Sequence, residues 1–256
     1  MALKTTYEQP LNERVRTFLR VEFLFEQLNH YIDDPNEWNN RNAMSALIEV
    51  IDFLSRLDIK TELIKELERH SAIISSLENT PGVDIQRLKI IMGEIGDCLK
   101  TLRDTNFQPG QALRQNEFIS SIKQRSSIPG GSCNFDLPGY YFWLTSGNID
   151  KTLQLKEWQK DINIINRAVK LALELIRNSS NPVIKTAKRG FFQQNIESDA
   201  ACQLIRVKLL ADSVYYPEIS GGKHRFSIRF MEQPSMNQRP HQTTEDVDFE
   251  LHCCNL

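Results

Sequence analysis

The sequence has no excess of either charge: 31 Lys plus Arg stand against 33 Asp plus Glu in 256 residues, a formal net charge of −2. That excludes a chain basic throughout, of the kind that coats nucleic acid, although a neutral total leaves room for a local basic patch. Long apolar runs are missing too. No stretch approaches the ~18 consecutive apolar residues of a membrane-spanning helix. The opening MALKTTYEQP has no apolar core of a signal peptide, so the expected location is the cytoplasm. Cysteine is scarce and odd in number: Cys98, Cys133, Cys202, Cys253 and Cys254. A chain this long buries a core of its own and needs no disulfide staples. A disordered chain is excluded by 40% hydrophobic residues and balanced charge.

Catalytic signatures are also lacking. There is no G-x-S-x-G elbow and no H-E-x-x-H helix. Ser220-Gly221-Gly222-Lys223-His224 resembles a phosphate loop only superficially, because Pro217 stands where Gly is required and His224 where Ser or Thr is required. A turn leading into a strand accounts for it better. His252-Cys253-Cys254 lacks the C-x₂-C spacing that lets two thiolates hold one zinc ion. The five histidines, His30, His70, His224, His241 and His252, are isolated from one another. The expectation is a protein without enzymatic activity, metal or cofactor. Cys133, after a Gly-Gly turn, is the least implausible nucleophile against that expectation.

What the chain does carry is two successive periodicities. Met44, Leu47, Ile48, Ile51 and Leu54 recur at helical spacing, as do Leu63, Ile64, Leu67, Ile74 and Leu77 before the Pro81-Gly82 stop. Asp84 is placed to cap a following helix whose apolar face is Leu88, Ile91, Ile95, Leu99 and Leu102. A first helix over about residues 11–31 reads as apolar on several faces, which predicts a central position. After the breaker Ser126-Ser127-Ile128-Pro129-Gly130-Gly131 comes an aromatic segment over 134–144, then one long helix over about 150–177.

From there the period becomes two. Cys202, Leu204, Val207 and Leu209 form one run; Phe226, Ile228 and Phe230 alternate with Arg225, Ser227, Arg229 and Met231; Val247, Phe249 and Leu251 alternate with acids. Such alternation marks half-buried antiparallel strands, with Thr5 to Gln9 as a further candidate. The fold class is therefore α+β, a helical bundle part plus a β-rich part with antiparallel strands. The expected domains are 11–128, helical, and 1–10 with 129–256, β-rich and including the long helix near 150–178.

Charge is distributed unevenly along this plan. Residues 181–231 sum to about +4 and residues 232–256 to about −4. On the strand 223–231, Lys223, Arg225, Ser227 and Arg229 fall on one face and Phe226, Ile228 and Phe230 on the other. Two readings of that cationic row compete: a solvated face partnered by the acidic strand Asp246–Glu250 beside it, or a surface for an acidic partner. A nucleic acid is the alternative polyanion, disfavoured by the acidic tail and the neutral total.

At this strand the sequence resembles the ZapD family of bacterial cell division proteins. The segment YYPEISGGKHRFSIRFM (Tyr215–Met231) carries the resemblance. PLNERVRTFLRVEFL (Pro10–Leu24), KTELIKELER (Lys60–Arg69), QRSSIPGGSCNFDLP (Gln124–Pro138) and DVDFELHCC (Asp246–Cys254) agree in order and spacing. The resemblance implies a non-enzymatic, cytoplasmic homodimer located at midcell with the division ring. Such a dimer binds the C-terminal tail of FtsZ and bundles its filaments, with no nucleic acid or membrane as partner. It further implies tail contact by Arg225 and Arg229, with Lys223 beside them, and by Arg20, Arg114, Lys123 and Arg125 at other basic positions of the family. Two positions depart from the family pattern: Glu117 stands where some relatives carry Arg, and Tyr141 where some carry His. A carboxylate at 117 opposes an acidic peptide.

Overall fold

The computed structural model describes residues 3–56, 58–77, 80–196, 202–222 and 224–255. In chain order it contains β1 (Lys4–Pro10), α1 (Glu13–Asp33), α2 (Glu37–Arg56), α3 (Ile59–Ser76), α4 (Ile85–Leu102), α5 (Gln111–Gln115), α6 (Glu117–Ser126), α7 (Pro138–Thr145) and α8 (Lys151–Arg177). The strands β2 (Val183–Ala187), β3 (Phe191–Asn195), β4 (Leu204–Leu210), β5 (Tyr215–Gly221), β6 (Arg225–Glu232), β7 (His241–Gln242) and β8 (Val247–Cys254) follow. The chain is α+β, as the change of period predicts. It divides into two compact units, one of Met1–Thr17 with Leu173–Leu256 and one of Phe18–Ala172.

The Phe18–Ala172 unit is helical. In α1, Phe18, Val21, Phe25, Leu28 and Ile32 are all buried, whereas Phe23 is 65% exposed. The helix therefore buries one seam at 3–4–3–4 spacing and is not apolar all round, which corrects the sequence expectation. Asp84 caps α4 as expected, accepting from the backbone N–H groups of Gln86 and Arg87. Asp58 does the same for α3 through Thr61, and Asn116 for α6 through Ile119. Helix α7 opens on Pro138, whose missing N–H costs nothing in a first turn. Its Tyr140 and Trp143 join Phe118 and Trp158 in an aromatic cluster with ring centroids 5.9–6.2 Å apart.

One buried charge sits inside this unit. The Glu66 side chain is 0% exposed and accepts from Arg69 Nη2 at 2.5 Å, while His70 Nε2 lies 3.0 Å away. Burial pushes its carboxyl up, but hydrogen bonds and charge from His70 and Arg69 outweigh that and hold it down at about 2. In the other unit, Lys4, His252 and Lys208 hold Glu250 at about 2. Both carboxyls titrate below their ordinary value of 4.5, so each binds protons more readily in the unfolded chain. Their contribution to stability is complete above pH 4.5 and lost as pH falls from there toward 2. Thermal melts across that interval are expected to show Tm falling with pH, and Glu66→Gln to flatten the fall.

The second unit holds two antiparallel sheets. One has strand order β1-β4-β8-β2; the other has order β3-β6-β5, with β7 pairing to β6. They share one core: Ile205, Val207, Phe249 and Leu251 from the first sheet and Phe226, Ile228 and Phe230 from the second are all buried. Phe230 and Phe249 meet at 5.0 Å between ring centroids. The β2–β3 turn depends on Gly190, at φ +70°, where an added Cβ would lie 2.6 Å from the Thr243 carbonyl oxygen. Asp246 braces the same turn, pairing with Lys188 at 2.7 Å and accepting from the Arg189 backbone N–H at 2.9 Å.

Candidate functional site

The alternation in β6 does what the sequence predicts. Phe226, Ile228 and Phe230 are at most 1% exposed, whereas Arg225 and Arg229 stand on the opposite, solvent-facing side. Four residues of strand separate the two guanidinium stems by about 13 Å. Lys223 lies outside the described residues.

The neighbours of β6 overturn one expectation. The acidic strand is not beside the cationic one. Residues 247–254 form β8, held between β4 and β2 in the other sheet, where Glu250 pairs with Lys4 and Lys208, and Asp248 with the Thr186 hydroxyl. Strand β6 is instead flanked by β3 and β5. Because directly opposite residues share a face, the register places Asn195, Gln193 and Phe191 on one side of Arg225, Ser227 and Arg229. Ser220, Glu218 and Tyr216 lie on the other side, opposite Ser227, Arg229 and Met231.

Three cations of the +4 segment are neutralised where they stand. Arg206 pairs with Glu8 at 2.7 Å, Lys208 with Glu250 at 3.3 Å and Lys188 with Asp246. Arg225 and Arg229 carry no such pair: neither guanidinium makes a hydrogen bond or ion pair with any described residue, as is also true of the Lys185 and Arg189 side chains. Glu218, across from Arg229, is the nearest acid by register yet forms no ion pair with it. The arrangement is two bidentate-capable guanidiniums on a central strand, neither paired with a described residue, with Phe191 and Tyr216 on the flanking strands. Since β6 is paired on both sides, its backbone is used up and recognition falls to side chains.

The remaining predicted residues belong to the helical unit. Arg20 is exposed on α1 without an ion pair to a described residue. Arg114 and Lys123, nine positions apart on α5 and α6, line a single cavity of about 520 Å³. Its floor is Ile48, Ile51, Leu113 and Ile119, none of which the sequence pointed to as functional. Lys123 is ion-paired with Asp52, and Arg114 donates to the Pro109 carbonyl at 2.8 Å. Arg125 pairs with Asp136 at 2.7 Å and lines a different cavity. Glu117 and Tyr141 are both exposed.

Nothing here is arranged for covalent chemistry at Cys133. That thiol is exposed and has no histidine among its described hydrogen-bond partners. Among the described residues no group of three or more His, Cys, Asp or Glu is placed to hold a metal ion, and no helix is long and apolar enough to cross a membrane.

Comparison with known proteins identifies the lineage of this face. The ZapD family of cell division proteins matches residues 19–229, which takes in all of β5 and most of β6. The chain belongs to the ZapD family. Full-length relatives agree: the cell division protein ZapD of Methylococcus capsulatus is 38% identical over 256 residues, covering all of both chains. That of Coxiella burnetii is 34% identical over 257 residues, again covering both chains completely. The protein is thus a cell division factor of the ZapD family.

Proposed function

We propose that this protein binds the acidic C-terminal tail of FtsZ through Arg225 and Arg229 and, as a homodimer, cross-links FtsZ filaments at the division ring. The observation that carries the reading is the pair of guanidiniums on the outer face of β6 that make no hydrogen bond or ion pair with a described residue, whereas Arg206 and Lys208 on β4 are both ion-paired. An extended peptide laid along that face meets a cation at either end of a ~13 Å span, which suits carboxylates spaced along a strand-like tail. Polar Ser227, Gln193 and Ser220 lie between, and Phe191 and Tyr216 offer apolar edges. A second copy carries a second such face, so bivalency converts modest tail affinity into bundling without nucleotide chemistry. Arg20, Arg114, Lys123 and Arg125 extend the proposed contact set on the helical unit, with the apolar floor beneath Arg114 and Lys123 available to a side chain of the tail.

The test is sedimentation with FtsZ filaments that lack the C-terminal tail. The protein is expected to pellet with full-length filaments and to stay in the supernatant with the truncated ones; equal pelleting with both would remove the tail from the account. Glu218 supplies a finer prediction. Its carboxylate stands beside Arg229 and repels an incoming acidic tail, so Glu218→Gln is expected to tighten tail binding a few-fold, about 0.5–1 kcal/mol, in a peptide titration.

A further inference from the structure

The helical unit holds a second cavity, of about 430 Å³, lined by Arg41, Ser45, Ile48 and Ile122, by the turn from Arg125 to Ser132, and by Tyr140. Its chemistry is uneven in a telling way. Tyr140 is 4% exposed, yet its hydroxyl makes no hydrogen bond with any described residue. Burial raises the pKa of this phenol, so it remains a hydrogen-bond donor across the physiological range. The ring is buried while the hydroxyl oxygen keeps contact with solvent, so its donor is open to a ligand in the cavity.

Two arginines line the same space. Arg41 is held over the rings of Trp38 at 5.4 Å and Tyr140 at 5.7 Å, and donates to the Ser132 carbonyl at 3.3 Å. Its carboxylate partner is Glu37, at 3.2 Å, and that of Arg125 is Asp136, at 2.7 Å. Neither Glu37 nor Asp136 lines the cavity, while both arginines do. Each guanidinium has five N–H donors and spends only some of them on its acid. The lining also includes the apolar Ile48, Ile122, Ile128 and Pro129, and Gly130 turns the loop in the left-handed region at φ +73°.

We propose that this cavity binds a small molecule bearing an oxyanion, phosphate or carboxylate, on an apolar body. The oxyanion sits between Arg41, Arg125 and the Tyr140 hydroxyl, and the apolar body lies against Ile48, Ile122 and Ile128. The cavity is built entirely from residues of the helical unit, and the proposal does not rest on tail capture at β6.

The probes are inorganic phosphate, phenyl phosphate and benzoate, titrated into the full-length protein at constant ionic strength and followed by amide chemical shifts. Saturable shifts confined to 41–48, 122–132 and 140 are expected, with phenyl phosphate binding more tightly than inorganic phosphate. The ratio of phenyl phosphate to benzoate affinity tells a phosphate site from a carboxylate site. Tyr140→Phe, which removes one oxygen and keeps the ring packing, is expected to weaken binding about threefold to tenfold. Arg41→Met is expected to weaken it at least about tenfold. Absence of saturable shifts with all three probes would overturn the proposal. So would shifts at those residues that persist unchanged in Tyr140→Phe. Displacement of phenyl phosphate by an FtsZ C-terminal peptide would also overturn it, since the cavity would then be part of the tail site.

Discussion

Reversing both charges, Arg225→Glu with Arg229→Glu, is expected to abolish co-sedimentation with FtsZ filaments while leaving the fold intact. The two side chains are exposed and make no ion pair with a described residue, so their loss breaks no internal interaction. Surface substitutions of this kind usually change stability by less than about 0.5 kcal/mol. Binding responds very differently. Each substitution replaces an attractive charge-assisted hydrogen bond, worth roughly 1.5–3 kcal/mol, with a carboxylate that repels the acidic tail. Two such changes together remove at least about 3 kcal/mol, more than a hundredfold in affinity. Bivalency magnifies the loss, because both faces of a dimer fail at once. Circular dichroism and a thermal melt should be unchanged. Retained bundling by a folded double variant would place the tail elsewhere, with Arg20 and the Arg114–Lys123 cavity the next residues to examine.

The largest effect on stability is expected at Glu8. This carboxylate, on β1, takes a bidentate pair from Arg177 at 2.9 and 2.8 Å and a third bond from Arg206 Nε at 2.7 Å. The three side chains are only 17–23% exposed. Burial raises the Glu8 pKa, but the hydrogen bonds and charges of the two arginines outweigh it and hold the carboxyl below its ordinary value. Glu8→Ala removes the carboxylate to which both half-buried guanidiniums donate. Breaking one side of such a group costs about 3 kcal/mol, which lowers Tm by roughly 10 °C in a chain of this size. Glu8→Met with Arg177→Met and Arg206→Met should recover part of the loss, because an apolar replacement of a whole buried charge set is often close to neutral. A Tm unchanged in Glu8→Ala would show that solvent already satisfies these arginines.

How much of this was legible in the sequence depends on whether the signal was local. Strand β6 was readable because a strand buried on one side must alternate, and Phe226, Ile228 and Phe230 do so without interruption. The Asp84 cap was readable because an acid just before an apolar helical face has one common use. Pairing was not local. Nothing in Asp246–Glu250 says that its neighbours will be β4 and β2 instead of β6, and charge complementarity suggested the wrong one. Strand β5 was hidden because it carries Pro217 and Gly221; it tolerates them as an edge strand, where a missing donor faces outward. Helix α7 was hidden behind aromatic residues with strand preferences, and its starting Pro138 was the one local clue. The meeting of Arg114 with Lys123 crosses the break between α5 and α6, which no helical period bridges. The site therefore emerged from the sequence as a face of one strand. Its flanks, Phe191, Glu218 and Tyr216, required the register.

The central claim is that an FtsZ C-terminal peptide docks on the Arg225–Arg229 face. The most direct measurement is isothermal titration of that synthetic peptide, with a scrambled peptide as control, into the wild-type protein and the folded Arg225→Glu, Arg229→Glu variant at one fixed salt concentration. The account predicts saturable binding to wild type alone, one peptide per chain, with no measurable heat for the scrambled peptide or the variant. Equal affinity of wild type and variant for the authentic peptide would contradict it.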